Sequence, residues 1–390
     1  MKRGCVIGYD INEKGCQISY YDDSMEEPDT MMASSNNYLI PLVLGYFKDR
    51  WVFGKEAKRL AVVGEDCTET DLYGKAKRRE KVSLAGKTYD AVWLLAKYIS
   101  LTLQDFENIQ YLTFTTPETD VDMAKMLKGI GQHIGVDKEI INVQDYKESF
   151  CQYMIFQPKE LWQYESALFY CDEDRIKAYM LRRLRVDASH GMNSFVTVDE
   201  VANAQRKELE ALYPIMNKEK SPDESFKSMI ENVFEKKVIS SVYLTGEGFE
   251  KNWYPNSLRV LCNGRRAFMG NNLYSKGACY KSIRKCEPND DGPIYLDETK
   301  LTERICLRMR VDGQEGWYPL VTWGTHWYEA DGQWEVLLED ASDIEILVES
   351  LVDEEVQVEK VSLEGLPKRT DYSLRLQVEV MFLDERTCKL

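Results

Sequence analysis

A strand, a polar turn and a second strand, followed by helices and further strands, form a pattern that occurs twice before residue 286. The first hairpin is predicted in CVIGYDINEKGCQISYY, where apolar residues alternate at Cys16, Ile18 and Tyr20. The second is predicted in SALFYCDEDRIKAYMLRRLRV. Because strand–helix–strand connections produce parallel pairs with a crossover, the pattern predicts an α/β fold whose sheet is built twice. The two copies of this pattern show no repeat in their amino-acid sequences.

Apolar spacing places further helices and strands between and after the two hairpins. Two strands flank Lys48-Asp49-Arg50 and lead into a helix start, and a capping signature at Ser221–Glu224 begins a later helix. The remaining predicted elements are a helix between Val82 and Leu103, a strand in IQYLTFTTP, a helix with Met123 to Ile134 on one face, a strand in KEIINV, a helix over roughly Val201 to Leu212, a strand in SSVYLTGEGF and a helix around Asn272–Ile283.

A polar break, CEPNDDGPIYLDE, separates this region from a tail of short alternating strands. We therefore predict two domains: an α/β domain over 1–285, with halves of about 1–160 and 161–285, and a small all-β sandwich over 292–390. The tail strands are predicted in ERICLRMRV, WEVLLED, DIEILVESLV, VQVEKVSLEGL and SLRLQVEVMFL, with turns at Asp312-Gly313 and Asp331-Gly332. The final DERTCKL is typical of a turn and the start of another strand, which leaves a continuation beyond Leu390 open.

The chain is acidic, with 66 Asp and Glu against 50 Lys and Arg and a formal net charge of −16. We therefore expect neither nucleic acid nor a membrane as a partner, because a phosphate-rich surface needs a basic face. No apolar run is long enough to span a bilayer, and Asp10, Asn12 and Glu13 interrupt the chain before a signal-peptide core can form. These features predict a cytoplasmic protein, whose oligomeric state does not follow from the sequence.

Several segments, in the same order along the chain, resemble the DnaK-type heat-shock chaperones of the actin-like ATPase superfamily. The two phosphate hairpins of that family resemble VIGYDINEKGCQISYY and LFYCDEDRIKAY. Its segment with the catalytic lysine resembles LYGKAKRRE, and its adenosine strand and turn resemble VYLTGEGF. GNNLYSKGACYKS is similar to the second connecting helix, where Gly277-Ala278 would allow close helix packing. The tail VSLEGLPKRTDYSLRLQVEVMFLDERTCKL is similar to late strands of the chaperone's β substrate-binding domain.

A bacterial family of shortened DnaK-like proteins is the specific relative that these segments resemble. The resemblance implies an actin-like, ribonuclease-H-like duplicated ATPase fold followed by a β sandwich, with ATP or ADP and Mg²⁺ as cofactors. In an active enzyme Mg²⁺ would be held through water by Asp10 and Asp172. The catalytic residues would be Asp10, Lys77, Asp145, where the family has a glutamate, and Asp172. The residues that would contact the nucleotide are Asn12, Lys14, Gly15, Gly246, Gly248 and Arg265.

The residues themselves favour a degenerate phosphate site that no longer binds or hydrolyses nucleotide. If the site is degenerate, we expect no cofactor. Phosphate loops use glycines so that backbone N–H groups approach the phosphates, with small hydroxyl residues as further donors. The first turn keeps Asp10 but continues as Asn12-Glu13-Lys14, and the second carries Asp172-Glu173-Asp174 in place of glycines. Each carboxylate at about 4 Å from a phosphate oxygen would repel it by roughly 1 kcal/mol even in water. An Mg²⁺-binding cluster and a solvated acidic turn are the other interpretations of this run.

The other implied site residues also have structural interpretations. Gly246 and Gly248 are compatible with an ordinary turn after a strand, and Arg265 with a surface ion pair. Lys77 belongs to the basic run KAKRR, which could instead dock on acidic residues. Asp145 is shorter than glutamate by one C–C bond, ~1.5 Å, which would damage the geometry for positioning water.

Three functions remain open from the sequence. The favoured one is a DnaK-like pseudo-ATPase that works as a non-catalytic binding, scaffold or chaperone-like module. The second is a divergent chaperone that still binds and hydrolyses ATP, and the third is an actin-like protein that assembles. The expected partner is a protein or extended peptide, held by the β domain along a sheet edge or in an apolar slot. Six aromatic residues could serve that surface or the core: Trp317, Tyr318, Trp323, Trp327, Tyr328 and Trp334.

Overall fold

A computed structural model describes residues 4–34, 37–63, 67–185, 194–205, 221–287, 292–339, 342–352, 355–366 and 373–390. The structure is mixed α/β with several separate sheets, which confirms the α/β class predicted from the hairpin-and-helix pattern. The chain divides into two units, of which the first is Met1–Arg182 with Val198–Asp290 and the second is Arg183–Thr197 with Asp291–Leu390. Among the described helices, none combines the length and the apolar character needed to cross a membrane.

The first half of the first unit follows the predicted first hairpin. Its elements are β1 (Cys5–Ile11), β2 (Gly15–Tyr21), β3 (Asp29–Thr30), β4 (Ile40–Pro41), β5 (Leu44–Phe47), β6 (Arg50–Phe53), α1 (Gly54–Val63), β7 (Thr68–Glu69), α2 (Leu72–Lys77), β8 (Lys81–Leu84), β9 (Lys87–Asp90), α3 (Ala91–Thr102), β10 (Ile109–Thr116), α4 (Val121–His133), β11 (Ile141–Asp145) and α5 (Tyr146–Ile155). β1 and β2 pair antiparallel, and β10 lies parallel to both β1 and β11, so the strand order is β11-β10-β1-β2-β3.

The second half of the first unit repeats this sheet. Its elements are β12 (Glu165–Cys171), β13 (Arg175–Arg185), β14 (Ser194–Gln205), α6 (Pro222–Phe234), β15 (Ile239–Thr245), α7 (Pro255–Leu261), β16 (Arg266–Met269) and α8 (Leu273–Cys286). Here β12 and β13 form the antiparallel hairpin, β15 is parallel to β12 and to β16, and the order is β16-β15-β12-β13-β14. The strand order and the directions of these pairs match those of the first sheet, as the repeated pattern predicts.

Helix α8 packs closely on the first sheet and on α5, and glycines permit both contacts. A Cβ added to Gly8 of β1 would lie 2.1 Å from the carbonyl oxygen of Ser275, and one added to Gly277 would lie 1.9 Å from that of Ser149. Buried hydroxyls join the helix to the sheet, with Ser19 Oγ 2.8 Å from Ser275 Oγ. The predicted close helix packing at Gly277 is therefore confirmed, and it holds the N-terminal ends of α5 and α8 together.

Two predicted helices require correction. The segment Val201–Gln205 belongs to β14, because pairing with the sheet prevails over the helix propensity of its Ala and Gln residues. Residues 206–212 of that prediction lie outside the described residues. The helix expected between Val82 and Leu103 begins only at Ala91. A hairpin of β8 and β9 precedes it, with Ala85 and Gly86 both at positive φ in the turn.

The second unit consists mainly of antiparallel strands. Its elements are β17 (Ile294–Tyr295), β18 (Glu303–Val311), β19 (Gln314–Val321), β20 (Gly332–Glu339), β21 (Asp343–Ser350), β22 (Val356–Ser362), β23 (Ser373–Phe382) and β24 (Cys388–Lys389). β18–β24 form two sheets, ordered β19-β18-β21-β22 and β20-β23-β24, and residues of both share one core, including Leu307, Ile346 and Val378. The predicted polar break before this unit includes residues 288–291, which lie outside the described residues.

The aromatic segment of the second unit divides between core and surface. Trp327 and Trp334 pack against the shared core, and Trp323 packs on a separate small cluster with Leu351. Trp317 and Tyr318 lie on β19 with 39% and 41% of their surface exposed. Strand β19 was absent from the sequence prediction because Gly316 and Pro319 interrupt its pattern, and it forms an edge of its sheet, where proline is tolerated.

Candidate functional site

Two adjoining cavities lie between the two halves of the first unit. The first cavity has a volume of about 290 Å³ and the second of about 380 Å³. They share the side chains of Asn12, Lys14, Tyr146 and Tyr170 as lining. Of the residues predicted from the sequence, Asp10, Asn12, Lys14 and Gly246 line the first cavity, and Asn12, Lys14, Lys77 and Asp172 line the second.

Asp10 lies near the end of β1 and is buried, with 3% of its surface exposed. The Tyr146 hydroxyl donates a hydrogen bond of 2.7 Å to its Oδ1, and Asn12 Nδ2 donates one of 2.9 Å to the same hydroxyl. Burial raises the pKa of the Asp10 carboxyl to about 7, although the Tyr146 hydrogen bond acts to lower it. Asp10 is thus a buried acid that titrates near neutral pH.

A stacked tyrosine pair stands beside Asp10. Tyr146 begins α5 and Tyr274 lies in the first turn of α8, and their ring centroids are 3.7 Å apart with the planes inclined by 7°. Burial raises the pKa of both hydroxyls well above the usual value. The Tyr274 hydroxyl is buried without a hydrogen-bond partner among the described residues. Because the pair depends on the close approach of α5 and α8, it belongs to the tertiary packing and not to any local motif.

The first hairpin turn is closed by its own asparagine. Asn12 Oδ1 accepts hydrogen bonds from the backbone N–H of Lys14 at 2.9 Å and of Gly15 at 3.2 Å. Gly15 is needed for packing, since an added Cβ would lie 2.4 Å from the carbonyl oxygen of Ile40 in β4. Two of the backbone donors that a phosphate would need in this turn, those of Lys14 and Gly15, are therefore already used.

The second hairpin turn has the same geometry. Asp172 Oδ1 accepts hydrogen bonds of 2.7 Å from the backbone N–H of Asp174 and from that of Arg175. Its own N–H donates to the Arg175 carbonyl oxygen at 3.1 Å, as the N–H of Asn12 does to Gly15 at 3.0 Å. The acidic run is thus a turn that closes on itself, which agrees with the structural interpretation of the sequence.

The glycines predicted to approach an adenosine instead pack against the second hairpin. Gly246 has φ of +100°, and an added Cβ would lie 2.2 Å from the Cys171 carbonyl oxygen. Its N–H donates to Asn271 Oδ1 at 3.1 Å. A Cβ on Gly248 would lie 2.3 Å from Cys171 Sγ. The turn is therefore shaped by close packing, although Gly246 still borders the first cavity.

Arg265 and Asp145 do not join the described lining of either cavity. The Arg265 guanidinium lies 4.5 Å from the ring centroid of Phe234, and burial lowers its pKa. Asp145 caps α5, accepting a hydrogen bond of 2.8 Å from the Glu148 N–H. Both side chains thus have structural roles that the sequence motifs did not reveal.

Lys77 ends α2 and lines the second cavity together with Glu13, Asp172 and Asp174. Its basic neighbours pair within the same region of the chain. Lys75 binds Glu69 at 2.8 Å, and Arg78 binds Asp71 at 2.9 Å and Glu80 at 2.6 Å. Two of the four cations in the basic run KAKRR, Lys75 and Arg78, are therefore balanced locally.

Ion pairs connect the two halves across the cavities. Lys14 of the first hairpin turn pairs with Glu247, and Lys177 of β13 lies 3.8 Å from Glu118. The carboxylates implied as Mg²⁺ ligands border different cavities, Asp10 the first and Asp172 the second. Within the part of the chain that the structure describes, no group of three or more His, Cys, Asp or Glu side chains could hold a metal ion.

The lining residues that sequence reasoning missed include Gln17, Tyr146, Tyr170 and Tyr274. Gln17 had a usable signal, because it lies directly opposite Asp10 in the β1–β2 register and so shares its face of the sheet. Tyr170 occupies the place in the second hairpin that Asp10 has in the first, two residues before the turn. Only the fold brings the other two tyrosines together.

Comparison with known families gives two matches. Residues 27–298 match the model described as the C-terminal part of a family of unknown function, DUF5716, and residues 300–390 match a domain of unknown function, DUF8552. No curated protein matches the chain. Because the first match covers well over half of the chain, the protein belongs to the DUF5716 family.

Proposed function

We propose that this protein is a DnaK-like pseudo-ATPase, in which an actin-type two-lobed unit serves as a non-catalytic binding module and a β sandwich follows it along the chain. The repeated sheet supports the actin-type assignment, since the two sheets share the order of hairpin and parallel strands. Helix α8, which packs on α5 at Gly277, also supports it, since this helix includes most of the segment that resembles the second connecting helix. The two antiparallel sheets of the second unit, with their shared core, support the sandwich.

One observation is the main support for the proposal that the protein does not hydrolyse ATP. In each hairpin turn two backbone N–H groups that could contact a phosphate donate instead to a side chain of the same turn, which is Asn12 in the first turn and Asp172 in the second. A phosphate would have to break these bonds and tolerate the carboxylates of Glu13 and Asp174. The residues present therefore do not fit a nucleoside triphosphate, and they offer its phosphates no cradle in which hydrolysis could occur.

The β sandwich is the proposed surface for a protein or extended-peptide partner. All seven residues of β22 are exposed, and its described pairing is with β21 on one side. Val356 and Val358 expose 47% and 56% of their surface. An edge strand of this kind offers unpaired backbone donors and acceptors to an added strand, which is the mode of binding expected for an extended peptide.

The test is isothermal titration of the full chain with Mg-ATP, combined with a sensitive assay for released phosphate. We expect no heat of binding at micromolar ATP and no phosphate release above the rate of the buffer. Micromolar binding together with measurable hydrolysis would contradict the proposal and favour the divergent chaperone.

In that case Asp10→Asn identifies the source of the activity. If the site were a working ATPase, the substitution would abolish turnover, because Asp10 is the carboxylate implied to hold the metal. A trace activity that persists unchanged in Asp10→Asn would instead indicate a contaminating enzyme. Asp174→Asn is the matched control, since it also removes a carboxylate from the cavity lining but from an exposed position.

A further inference from the structure

We propose that the first cavity binds a small organic cation, whose guanidinium or primary ammonium N–H groups bridge Asp10 and Gln17. The inference rests on the proposed function in one respect, that this cleft does not hold a nucleotide. It goes beyond that function by giving the cavity a ligand class of its own. Charge, hydrogen-bonding capacity and aromatic lining each support it.

The charge of the lining excludes an anion. Three carboxyl groups border the first cavity, those of Asp10, Glu247 and Glu250, against the single ammonium of Lys14. Lys14 is already paired with Glu247, so its charge is compensated. Glu250 accepts a hydrogen bond of 3.2 Å from Asn271 Nδ2, which leaves its negative charge in place. A phosphate would meet net repulsion here, and a cation net attraction.

Two acceptor oxygens of the lining, on Asp10 and Gln17, have no hydrogen-bond donor among the described residues. Asp10 uses Oδ1 for the Tyr146 hydroxyl, and its Oδ2 has no hydrogen bond among the described residues. Gln17 Oε1 is buried with no partner in the same part of the structure, and only 9% of the residue's surface is exposed. A buried acceptor without a partner, as Gln17 Oε1 is, costs free energy, and a ligand with N–H groups would supply donors to it and to Asp10 Oδ2.

The two acceptors lie within reach of one ligand group. Asp10 and Gln17 are directly opposite each other across β1 and β2, so their side chains share one face. Residues in that relation have Cβ atoms roughly 5 Å apart. A planar guanidinium presents several N–H donors in a fork that suits a carboxylate and a neighbouring amide oxygen at once.

The remaining lining suits the body of such a ligand. Tyr38, Tyr146, Tyr170 and Tyr274 border the cavity, and tyrosine rings attract cations placed over their faces. A volume of about 290 Å³ corresponds to roughly ten water molecules at about 30 Å³ each. This is enough for a molecule the size of agmatine, which carries a guanidinium and a primary ammonium on a short alkyl chain.

The experiment is isothermal titration of the full chain with agmatine at pH 8. We expect a Kd below about 1 mM, and binding of choline, a cation without N–H donors, at least about tenfold weaker. Inorganic phosphate should give no heat. Asp10→Asn and Gln17→Met should each weaken agmatine binding by about tenfold or more, because each removes one of the two acceptors.

The controls separate the possible failures. Asp174→Asn removes a carboxylate from the second cavity and should leave agmatine binding within about twofold. Absence of agmatine binding, or equal binding by all four proteins, would overturn the inference and leave the pseudo-ATPase proposal intact. Micromolar Mg-ATP binding with hydrolysis would overturn the pseudo-ATPase proposal, whatever agmatine does. The stability of each variant, measured in parallel, shows whether a lost signal reflects unfolding.

Discussion

The two hairpin turns of the first unit share a backbone design but have different surroundings. Each is closed by an Asx side chain that accepts hydrogen bonds from two backbone N–H groups, and this side chain is Asn12 in the first turn and Asp172 in the second. Two residues earlier the first hairpin carries the buried Asp10, and the second carries the half-buried Tyr170. The first turn ends at Gly15, which is buried, and the second turn ends at Arg175, which is exposed.

The difference teaches that a shared backbone does not give a shared role. The second turn borders the second cavity and ends at the exposed Arg175, whereas the first turn contacts β4, Tyr146 and, through Lys14, Glu247. Equivalent substitutions in the two turns should therefore have unequal effects, and each turn serves as the control for the other.

The largest effect is expected from Asp10→Asn, measured as a function of pH. The folded-state pKa of Asp10 is raised to about 7, above the usual unfolded value of about 3.9. The wild-type protein therefore loses stability as pH rises from about 4 to 7, and a pKa difference of about three units corresponds to up to about 4 kcal/mol. Asparagine keeps an acceptor for the Tyr146 hydroxyl without this penalty, so the variant should be more stable than the wild type at pH 8.

The measurement is urea unfolding followed by near-ultraviolet circular dichroism between pH 4.5 and pH 8. The stability advantage of Asp10→Asn should grow with pH and level off above pH 7. A constant difference between Asp10→Asn and the wild type across this range would mean that Asp10 is ionised throughout and that the cavity is wetter than its burial indicates.

Gly15→Ala should produce the next largest effect. The added methyl group would meet the Ile40 carbonyl oxygen at 2.4 Å and Leu39 Cδ1 at 2.8 Å. Overpacking against backbone costs about 1–3 kcal/mol, and we expect the upper half of that range in urea unfolding. Arg175→Ala at the matching position of the second turn should change the free energy of unfolding by less than about 0.5 kcal/mol. Equal losses in the two variants would show that β4 does not enclose the first turn.

Much of the first unit was predictable because its signals are local. The two hairpins, the parallel strand in IQYLTFTTP and the helix capped at Ser221 all follow from apolar spacing and capping chemistry. Local patterns fail where the tertiary context prevails. Helix-forming residues at Val201–Gln205 extend a strand beside β13, and Pro319 is tolerated in β19 because that strand is at a sheet edge.

The candidate site was predictable only in part, for the same reason. Asp10, Lys14 and Asp172 follow from their places on the hairpins, and the structure puts all three on the cavity lining. Tyr146 and Tyr274 are far apart in the chain and meet because Gly277 lets α8 approach α5. No local pattern contains that contact, so the tyrosine pair could not be predicted from the sequence alone.

The smallest expected effect comes from exchanging the two turn-closing residues. Asp172→Asn keeps the Oδ1 acceptor and should change the free energy of unfolding by less than about 0.5 kcal/mol. Asn12→Asp also keeps Oδ1 but loses the Nδ2 donor to the Tyr146 hydroxyl and adds a carboxylate beside Asp10. It should cost about 1–2 kcal/mol at pH 8 in urea unfolding, and less at pH 5, where protonation relieves the repulsion. If both substitutions were neutral, the network from Asn12 through Tyr146 to Asp10 would contribute nothing to folding, and the two turns would be equivalent in energy as well as in geometry.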